Sequence, residues 1–441
     1  ISMSKFKFIV TKKLTLSLVS FSLVLISFIL YPVYKIKFMK SAQKYLFLNN
    51  LQLDDVSLMQ MSRFLDSTSE GSDNVLITPI GTSHGVDKVL NGWDKIFESE
   101  KDLLDNKLIE IESSQRSKFG PRSIAVPWVD RRSGVLEQFG QGDNVILKYI
   151  KPVRGKRLRP TSLKTSVDNL KNNTNSGLPY LVKKGRVKAE ALDNFEKLLA
   201  RKDPCVLFTR TQEQLKTRTV WGYPIADTIL ENRYYLPVLA YQRLLPWRSA
   251  LKGPEDVDAA MTKLIDYGIS HNLYLVSIDF SSYDSTVKRS LQNYSFQYIK
   301  DLFNNNEMYA KDLDYIQERF NTIGLVTPDG ILSDEHGVPS GSTFTNEVDS
   351  IAQYQVARQF VDSDDLLQIQ GDDGAYLTSD PDGLKETFRF AGLNVNDSKS
   401  FVSKEYFVYL QNYYSNRYRF NGLVRGIYPV YRALGKILFQ E

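Results

Sequence analysis

The rhythm of apolar and polar positions changes several times along the chain, and each change marks an element. Leu14–Tyr34 is almost continuously apolar, with Lys12 and Lys13 before it and Lys35 and Lys37 after it. Its length suits a membrane span and its basic start resembles a secretory leader. No small-residue cleavage site stands out, and cations on both sides leave orientation open. Because the chain opens on Ile, a reading frame extended upstream of Met39 and a buried helix stand beside the anchor as readings. Lys40–Glu112 reads as mixed helix with a polar break at Ser67–Asp73. Lys164–Tyr180, rich in Asn, Thr, Ser and Gly, reads as loop, and helical periodicity returns at Ala189–Leu199.

The second half is patterned more sharply. Leu273–Asp279 predicts a strand and Ser285–Phe303 a helix, followed by a turn around Pro328–Gly330 and a loop at Pro339–Ser342. Val348, Ile351, Ala352, Val356 and Phe360 recur near helical spacing, which predicts a helix over Thr345–Val361. Leu366–Gln370 and Ala375–Thr378 are short apolar runs that bracket Gly371-Asp372-Asp373-Gly374, the pattern of a hairpin. Asp380-Pro381 starts a helix that Gly392 stops. Strand, helix, helix, hairpin, helix describes an α+β domain on an antiparallel sheet.

Composition narrows the chemistry. With 441 residues, 42% of them apolar, the chain can bury more than one ordinary core. Its single cysteine, Cys205, and its three histidines, His84, His271 and His336, lie too far apart for a local zinc motif or a disulfide framework. A catalytic metal would therefore be held mainly by oxygen. The net charge of +5 is uneven: Lys151–Val220 carries 17 Lys and Arg against six Asp and Glu, so the remainder is acidic. A basic block of that density is an electrostatic footprint for phosphates.

Adjacent aspartates at a hairpin tip resist joint ionisation unless a cation neutralises them. Asp279 ends a buried strand and can sit beside such a tip, so Asp279 and Asp372, with Asp373 assisting, could clamp two Mg²⁺ ions. Asp284, five residues later, is placed to accept a hydrogen bond from a sugar hydroxyl, although an N-cap role would also suit it. Ser340 and Gly341, in Gly337–Asn346, bring hydroxyls and amides to a loop-to-helix junction, where they can track a nucleic-acid backbone and touch a ribose. Thr345 and Asp349 share one face of the following helix.

In this order, these three blocks resemble the palm motifs of viral RNA-dependent RNA polymerases. The wording GVPSGSTFTN and QGDDG is most similar to picobirnaviruses, with partitivirus-like enzymes next. The resemblance covers about Lys164 to the C-terminus. It implies a right-hand polymerase: an N-terminal region and fingers over 41–270, a palm over 271–415 with a fingers insertion near 287–335, and the start of a truncated thumb over 416–441, after the apolar extension 1–40. Thr174, Ser176, Gly177 and Pro179 are similar to a fingers motif that steers the template. Arg210, Lys216 and Arg218 resemble the basic motif over the incoming triphosphate, where arginine can bond phosphate bidentately. Lys399, in Gly392–Lys399, is similar to the lysine that protonates the leaving pyrophosphate, and Tyr409–Tyr413 resembles the primer-grip hairpin. Many relatives have Asn where this chain has Asp349, so Asp349 and Asn346 both remain ribose candidates.

The resemblance implies two Mg²⁺, with Mn²⁺ as a substitute, an RNA template and product strand, and ribonucleoside triphosphates. A viral capsid protein is a further partner, membrane association stays open, and the setting is the virion interior or host cytoplasm. Two rivals are weighed. A reverse transcriptase has an aromatic residue where this chain has Gly371, and a bulky gate in place of Asp284. A non-catalytic RNA-binding scaffold would keep the basic block but need no paired carboxylates.

Overall fold

The computed structural model describes residues 44–73, 77–118, 124–153, 155, 157–211 and 216–439. The apolar stretch Leu14–Tyr34 lies outside them, and among the described residues no helix is long and apolar enough to cross a membrane. The chain divides into two compact units, Ile1–Ser67 and Thr68–Glu441. In the described part of the first, Leu46–Leu51 makes a tight helical turn, and Lys44 and Tyr45 bond the Asp66 carboxylate at 3.0 and 2.9 Å.

The second unit begins with helices that include α1 (Val86–Glu100) and α2 (Asn106–Gln115). Strands β1 (Cys205–Thr211) and β2 (Thr217–Gly222) follow, then helices α3 (Ile225–Gln242) and α4 (Pro254–Ser270) and strand β3 (Tyr274–Ile278). Helices α5 (Arg289–Leu302) and α6 (Glu307–Thr322) precede β4 (Leu325–Thr327), β5 (Gly330–Leu332) and helix α7 (Thr345–Ala357). The hairpin of β6 (Leu367–Gln370) and β7 (Asp373–Thr378) leads to α8 (Pro381–Phe390) and β8 (Phe401–Ser403). A second hairpin, β9 (Tyr406–Tyr409) and β10 (Asn412–Ser415), and helix α9 (Val430–Leu438) complete it.

Strand β3 lies inside a sheet of order β8-β3-β7-β6, antiparallel at every pair as the sequence pattern implies. Val276 and Ile278 enter a core with α5 and α7, while Leu275 on the opposite face meets α4 and Phe407 and Tyr409 of β9. A strand covered on both faces reads as a continuous apolar run, which is why β3 shows no alternation. The other main sheet has the order β2-β1-β4-β5, and there β1 and β4 run parallel, with Cys205 opposite Leu325. The hairpin after α6 thus rejoins a sheet begun far upstream. Helix α9 docks on α1 and α2, where the Glu112 carboxylate accepts the Val430 and Tyr431 N–H groups at 2.8 and 2.9 Å.

Several boundaries differ from expectation for local reasons. Leu163–Asn169 is helical, not loop: Ser162 Oγ accepts the Thr165 N–H at 3.0 Å, and Ser166 and Val167 are buried. The Ser285–Phe303 helix is two, because Val287 leaves helical geometry at ψ 82° between Tyr283–Thr286 and α5. Ala189–Leu199 likewise divides at Asn194 into Lys188–Asp193 and Phe195–Ala200.

One buried ion pair fastens helix α7 to strand β6. Arg248 Nη2 donates to Glu347 Oε1 and Asn346 Oδ1, both at 3.0 Å, and Nη1 reaches the Ile369 carbonyl at 3.5 Å. The two charged side chains are 0% and 1% exposed. Such a pair gains little over apolar replacements, but removing one partner strands a charge. Replacing Arg248 with Met should therefore cost about 3–5 kcal/mol in denaturant unfolding, and adding Glu347→Leu should restore most of it. Equal stability of the single variant and the wild type would contradict this account.

Candidate active site

The register of β6 with β7 pairs Gln370 with Asp373, so a two-residue turn, Gly371-Asp372, closes the hairpin. The tip is tighter than the tetrapeptide pattern suggests, because Asp373 and Gly374 already belong to β7. Gly371 has φ +62°, the positive first position of a type II′ turn, where a side chain would be strained. Helix α7 ties this turn down. Gly371 N–H donates to Ser350 Oγ at 2.8 Å, Gln353 Nε2 to the Asp372 carbonyl at 3.1 Å, and Gln370 Nε2 to Asn346 Oδ1 at 3.0 Å.

Ile278 is the register partner of Gly374, so Asp279, one residue beyond β3, lies beside Asp373. Burial pushes the Asp279 carboxyl above its ordinary value and Asp372 pushes it further, while the charges of Lys399 and Lys216 draw it down. Asp373 is pushed up to about 7, first by burial and then by Asp372 and Asp279, with Arg432 opposing. Asp372 itself is exposed at the turn. Asp279, Asp372, Asp373 and Lys399 thus share one electrostatic neighbourhood, with Lys399 on the solvent side.

A second group adjoins it. Ser340 Oγ donates a very short hydrogen bond to the Asp284 carboxylate, which joins the two motifs directly. Burial raises the Asp284 carboxyl and so does Asp372, against the Ser340 bond and the Arg218 charge. Gly341 packs where a Cβ would strike the Trp221 carbonyl, and Thr345 Oγ1 donates to the Pro339 and Ser342 carbonyls at 2.9 and 3.0 Å. Thr345 therefore closes the loop on itself and does not present its hydroxyl outward.

The two ribose candidates separate. Asn346 Oδ1 is occupied by Arg248 and Gln370, so Asn346 anchors the tip. Asp349 is 4% exposed, its Oδ1 is buried without a hydrogen-bond partner, and it feels Asp284 and Asp372. Burial first and then those two charges drive its carboxyl well above the ordinary range.

The basic hairpin overhangs both groups. Arg210 and Arg218 are direct cross-strand partners in β1–β2, and like charges so placed repel unless an anion lies between them. Lys216 reaches Asp279 electrostatically and Arg218 reaches Asp284. Thr174 is exposed, whereas Ser176 and Gly177 are buried. Ser176 Oγ accepts the Val182 N–H at 3.2 Å, and Gly177, at φ +63°, leaves no room for a Cβ against Tyr223. Pro179 follows through a cis peptide. Ser176, Gly177 and Pro179 thus shape the loop from within.

The donors suit a hard divalent cation. All are carboxylate oxygens, and the carboxyls of Asp279 and Asp373 are raised first by burial and further by neighbouring aspartates. Among the described residues no three His, Cys, Asp or Glu side chains are drawn into a ready cage. That fits an ion bound through one or two carboxylates plus substrate phosphates.

The sequence reading missed Arg248, Glu347, Ser350 and Gln353, which hold helix α7 and the Gly371-Asp372 turn in place. Glu347 carried a signal, since it lies four residues before Ile351, on the apolar face of α7. Arg248 carried none.

The sequence profile of the viral RNA-dependent RNA polymerase family matches residues 143–427. A potential RNA-dependent RNA polymerase of Human picobirnavirus (strain Human/Thailand/Hy005102/-) is 28% identical in an alignment 420 positions long that covers 86% of this chain and 77% of that protein. The RNA-directed RNA polymerase of Cryptosporidium parvum virus 1 (strain KSU-1) is 26% identical in an alignment 344 positions long that covers 68% of this chain and 60% of that one. The crystal structure of a human picobirnavirus RNA-dependent RNA polymerase superposes with a TM-score of 0.75 at 24% identity, covering 86% of this chain and 78% of its own. Its insertion-loop deletion mutant gives the same TM-score at 26% identity, covering 86% and 81%.

A pH-dependence follows from Asp373. Its folded value of about 7 lies above the ordinary 3.8, so in metal-free protein its unfavourable ionisation erodes stability as pH rises between those values. Asp373→Asn removes that cost. In chelator, the variant should unfold at a higher temperature than the wild type above neutral pH and at the same temperature in acid. A variant less stable at alkaline pH would show that Asp373 is already compensated.

Proposed function

This chain belongs to the viral RNA-dependent RNA polymerases, and from that premise we propose that Asp279, Asp372 and Asp373 are its metal-binding, catalytic carboxylates. It is an RNA-directed nucleotidyltransferase whose substrates are RNA and nucleotides. The observation that most supports the assignment is the register that brings Asp279 beside Asp373 at the tip carrying Asp372, under a hairpin bearing Arg210, Lys216 and Arg218.

The family uses divalent metal ions. Two Mg²⁺, with Mn²⁺ as a substitute, would be held by Asp279, Asp372 and Asp373 and would supply acidification of the attacking 3′-hydroxyl and neutralisation of the departing pyrophosphate. The protein's own groups do the rest by placement. Arg210, Lys216 and Arg218 take the triphosphate. Asp284, oriented by Ser340, accepts from the ribose hydroxyls, and Asp349 behind it, its carboxyl raised by burial, would donate when protonated and accept when ionised. Gly341 lets the loop lie close to Trp221, Thr345 locks that loop, and Asn346 steadies the tip. Lys399 Nζ faces the carboxylates from solvent and is the proton donor to the leaving group. Thr174, on the loop shaped by Ser176, Gly177 and Pro179, meets the template.

In this reading the fingers comprise much of 41–270 together with the insertion near 287–335, whose strands β4 and β5 join β1 and β2. The palm spans 271–415, and a thumb begins within 416–441. The genome copied is double-stranded RNA. A capsid protein is a further partner, and the work is done in the virion interior or the host cytoplasm.

Asp372→Ala should abolish ribonucleotide incorporation on an RNA template while RNA affinity, measured by filter binding, stays within about twofold, since phosphate contacts dominate that affinity. Substantial residual synthesis would refute the assignment of Asp372. At the ribose, Asp349→Asn keeps a donor and should preserve the preference for ribonucleotides over deoxyribonucleotides. Asp349→Leu should lower that preference about tenfold or more, the scale of a lost polar contact to a substrate hydroxyl. An unchanged ratio in the Leu variant would remove Asp349 from the ribose site.

A further inference from the structure

An acid that takes no part in the proposed transfer holds the Ser340 loop from behind. Glu231, in α3, is 2% exposed, and both of its carboxylate oxygens are occupied. Oε1 accepts the Ser342 hydroxyl and Oε2 the Thr343 N–H, each at 2.7 Å. Ser342 Oγ in turn accepts the Phe344 N–H at 3.1 Å, so the relay from Phe344 through Ser342 to Glu231 runs in one direction.

The charged and titratable neighbours come from several elements. Asp227 lies one turn back on α3 and is paired with Arg319 of α6 at 2.7 Å. Lys184, beyond the Thr174–Pro179 loop, is drawn towards Glu231 electrostatically, and Tyr223 and Cys205 face it uncharged. Glu231 therefore stands between the two loops assigned above to the template and the nucleotide.

We propose that Glu231 is a positioning residue of the polymerase site, whose ionised carboxylate clamps Ser342 and Thr343 so that Ser340 stays bonded to Asp284. The inference rests on the assignment of Asp284 and Ser340 to nucleotide binding. An ionised carboxylate accepts from both donors. A protonated one is uncharged, accepts more weakly and carries an O–H that must find an acceptor of its own, so the two bonds that hold the loop weaken. Burial pushes the Glu231 carboxyl up to about 7 and Asp227 adds to this, against the Ser342 and Thr343 bonds. Protonation below that value loosens the clamp, and the loop is held most firmly on the alkaline side.

The test measures RNA synthesis by the full chain from about pH 6 to pH 9, the range that brackets a general acid–base limb. Wild type, Glu231→Gln and Ser342→Ala are compared, with Asp372→Ala as the control. Glu231→Gln should lower kcat/KM for ribonucleotides about tenfold at alkaline pH, a plausible cost of misplacing a substrate-holding loop. It should also flatten the acid limb and leave RNA affinity unchanged. Ser342→Ala removes one bond that favours ionisation, so its acid limb should move to higher pH with a smaller loss. If Glu231→Gln does not fold, that shift decides the matter alone. Profiles for both variants that overlay the wild type, with Asp372→Ala inactive, would overturn the clamp and leave the site assignment standing. Activity in Asp372→Ala would overturn the site assignment itself.

Discussion

Carboxylates at the ends of neighbouring strands repel, and the second unit is built around keeping three of them together. Asp279 continues β3 and Asp373 opens β7, so the antiparallel register sets their backbones side by side. Partial burial makes the repulsion worse, and both carboxyls are raised as a result. A divalent cation would relieve that repulsion.

Helix α7 is where these constraints meet. Asn346 takes bonds from Arg248 and Gln370, Ser350 and Gln353 hold the turn, and Asp349 faces Asp284 and Asp372. The loop that leads into the same helix carries Ser340 to Asp284. One rigid element therefore supports both the Gly371-Asp372 turn and the Asp284–Ser340 group, so the two cannot drift apart independently. The other main sheet adds the opposite charge, Lys216 towards Asp279 and Arg218 towards Asp284.

The chemistry of this site was far more legible in the sequence than its support. Asp279, Asp284, Ser340 and the Gly371–Asp373 turn stand at element ends, where short-range pattern and turn chemistry are strongest, and the structure brings them together. The parallel pairing of β1 with β4 was invisible because it joins segments far apart in sequence with no local signature. Arg248 was missed because a charged residue inside an apolar run reads as surface until its partners are known, and Glu231 because its partners Ser342 and Thr343 lie far along the chain. Asn346 and Asp349, equal ribose candidates in the sequence, differ in which side chain is already occupied, a fact of packing and not of spacing.

The central claim is that Asp279 shares divalent cations with Asp372 and Asp373. Crystals of the chain grown with Mn²⁺ and a non-hydrolysable ribonucleoside triphosphate, measured at the manganese absorption edge, test it most directly. Anomalous peaks should lie about 2.0–2.6 Å from carboxylate oxygens of Asp279 and of the Asp372–Asp373 pair, the span of metal–oxygen bonds to hard cations. Manganese bound without Asp279, or on only one side of the sheet end, would contradict it.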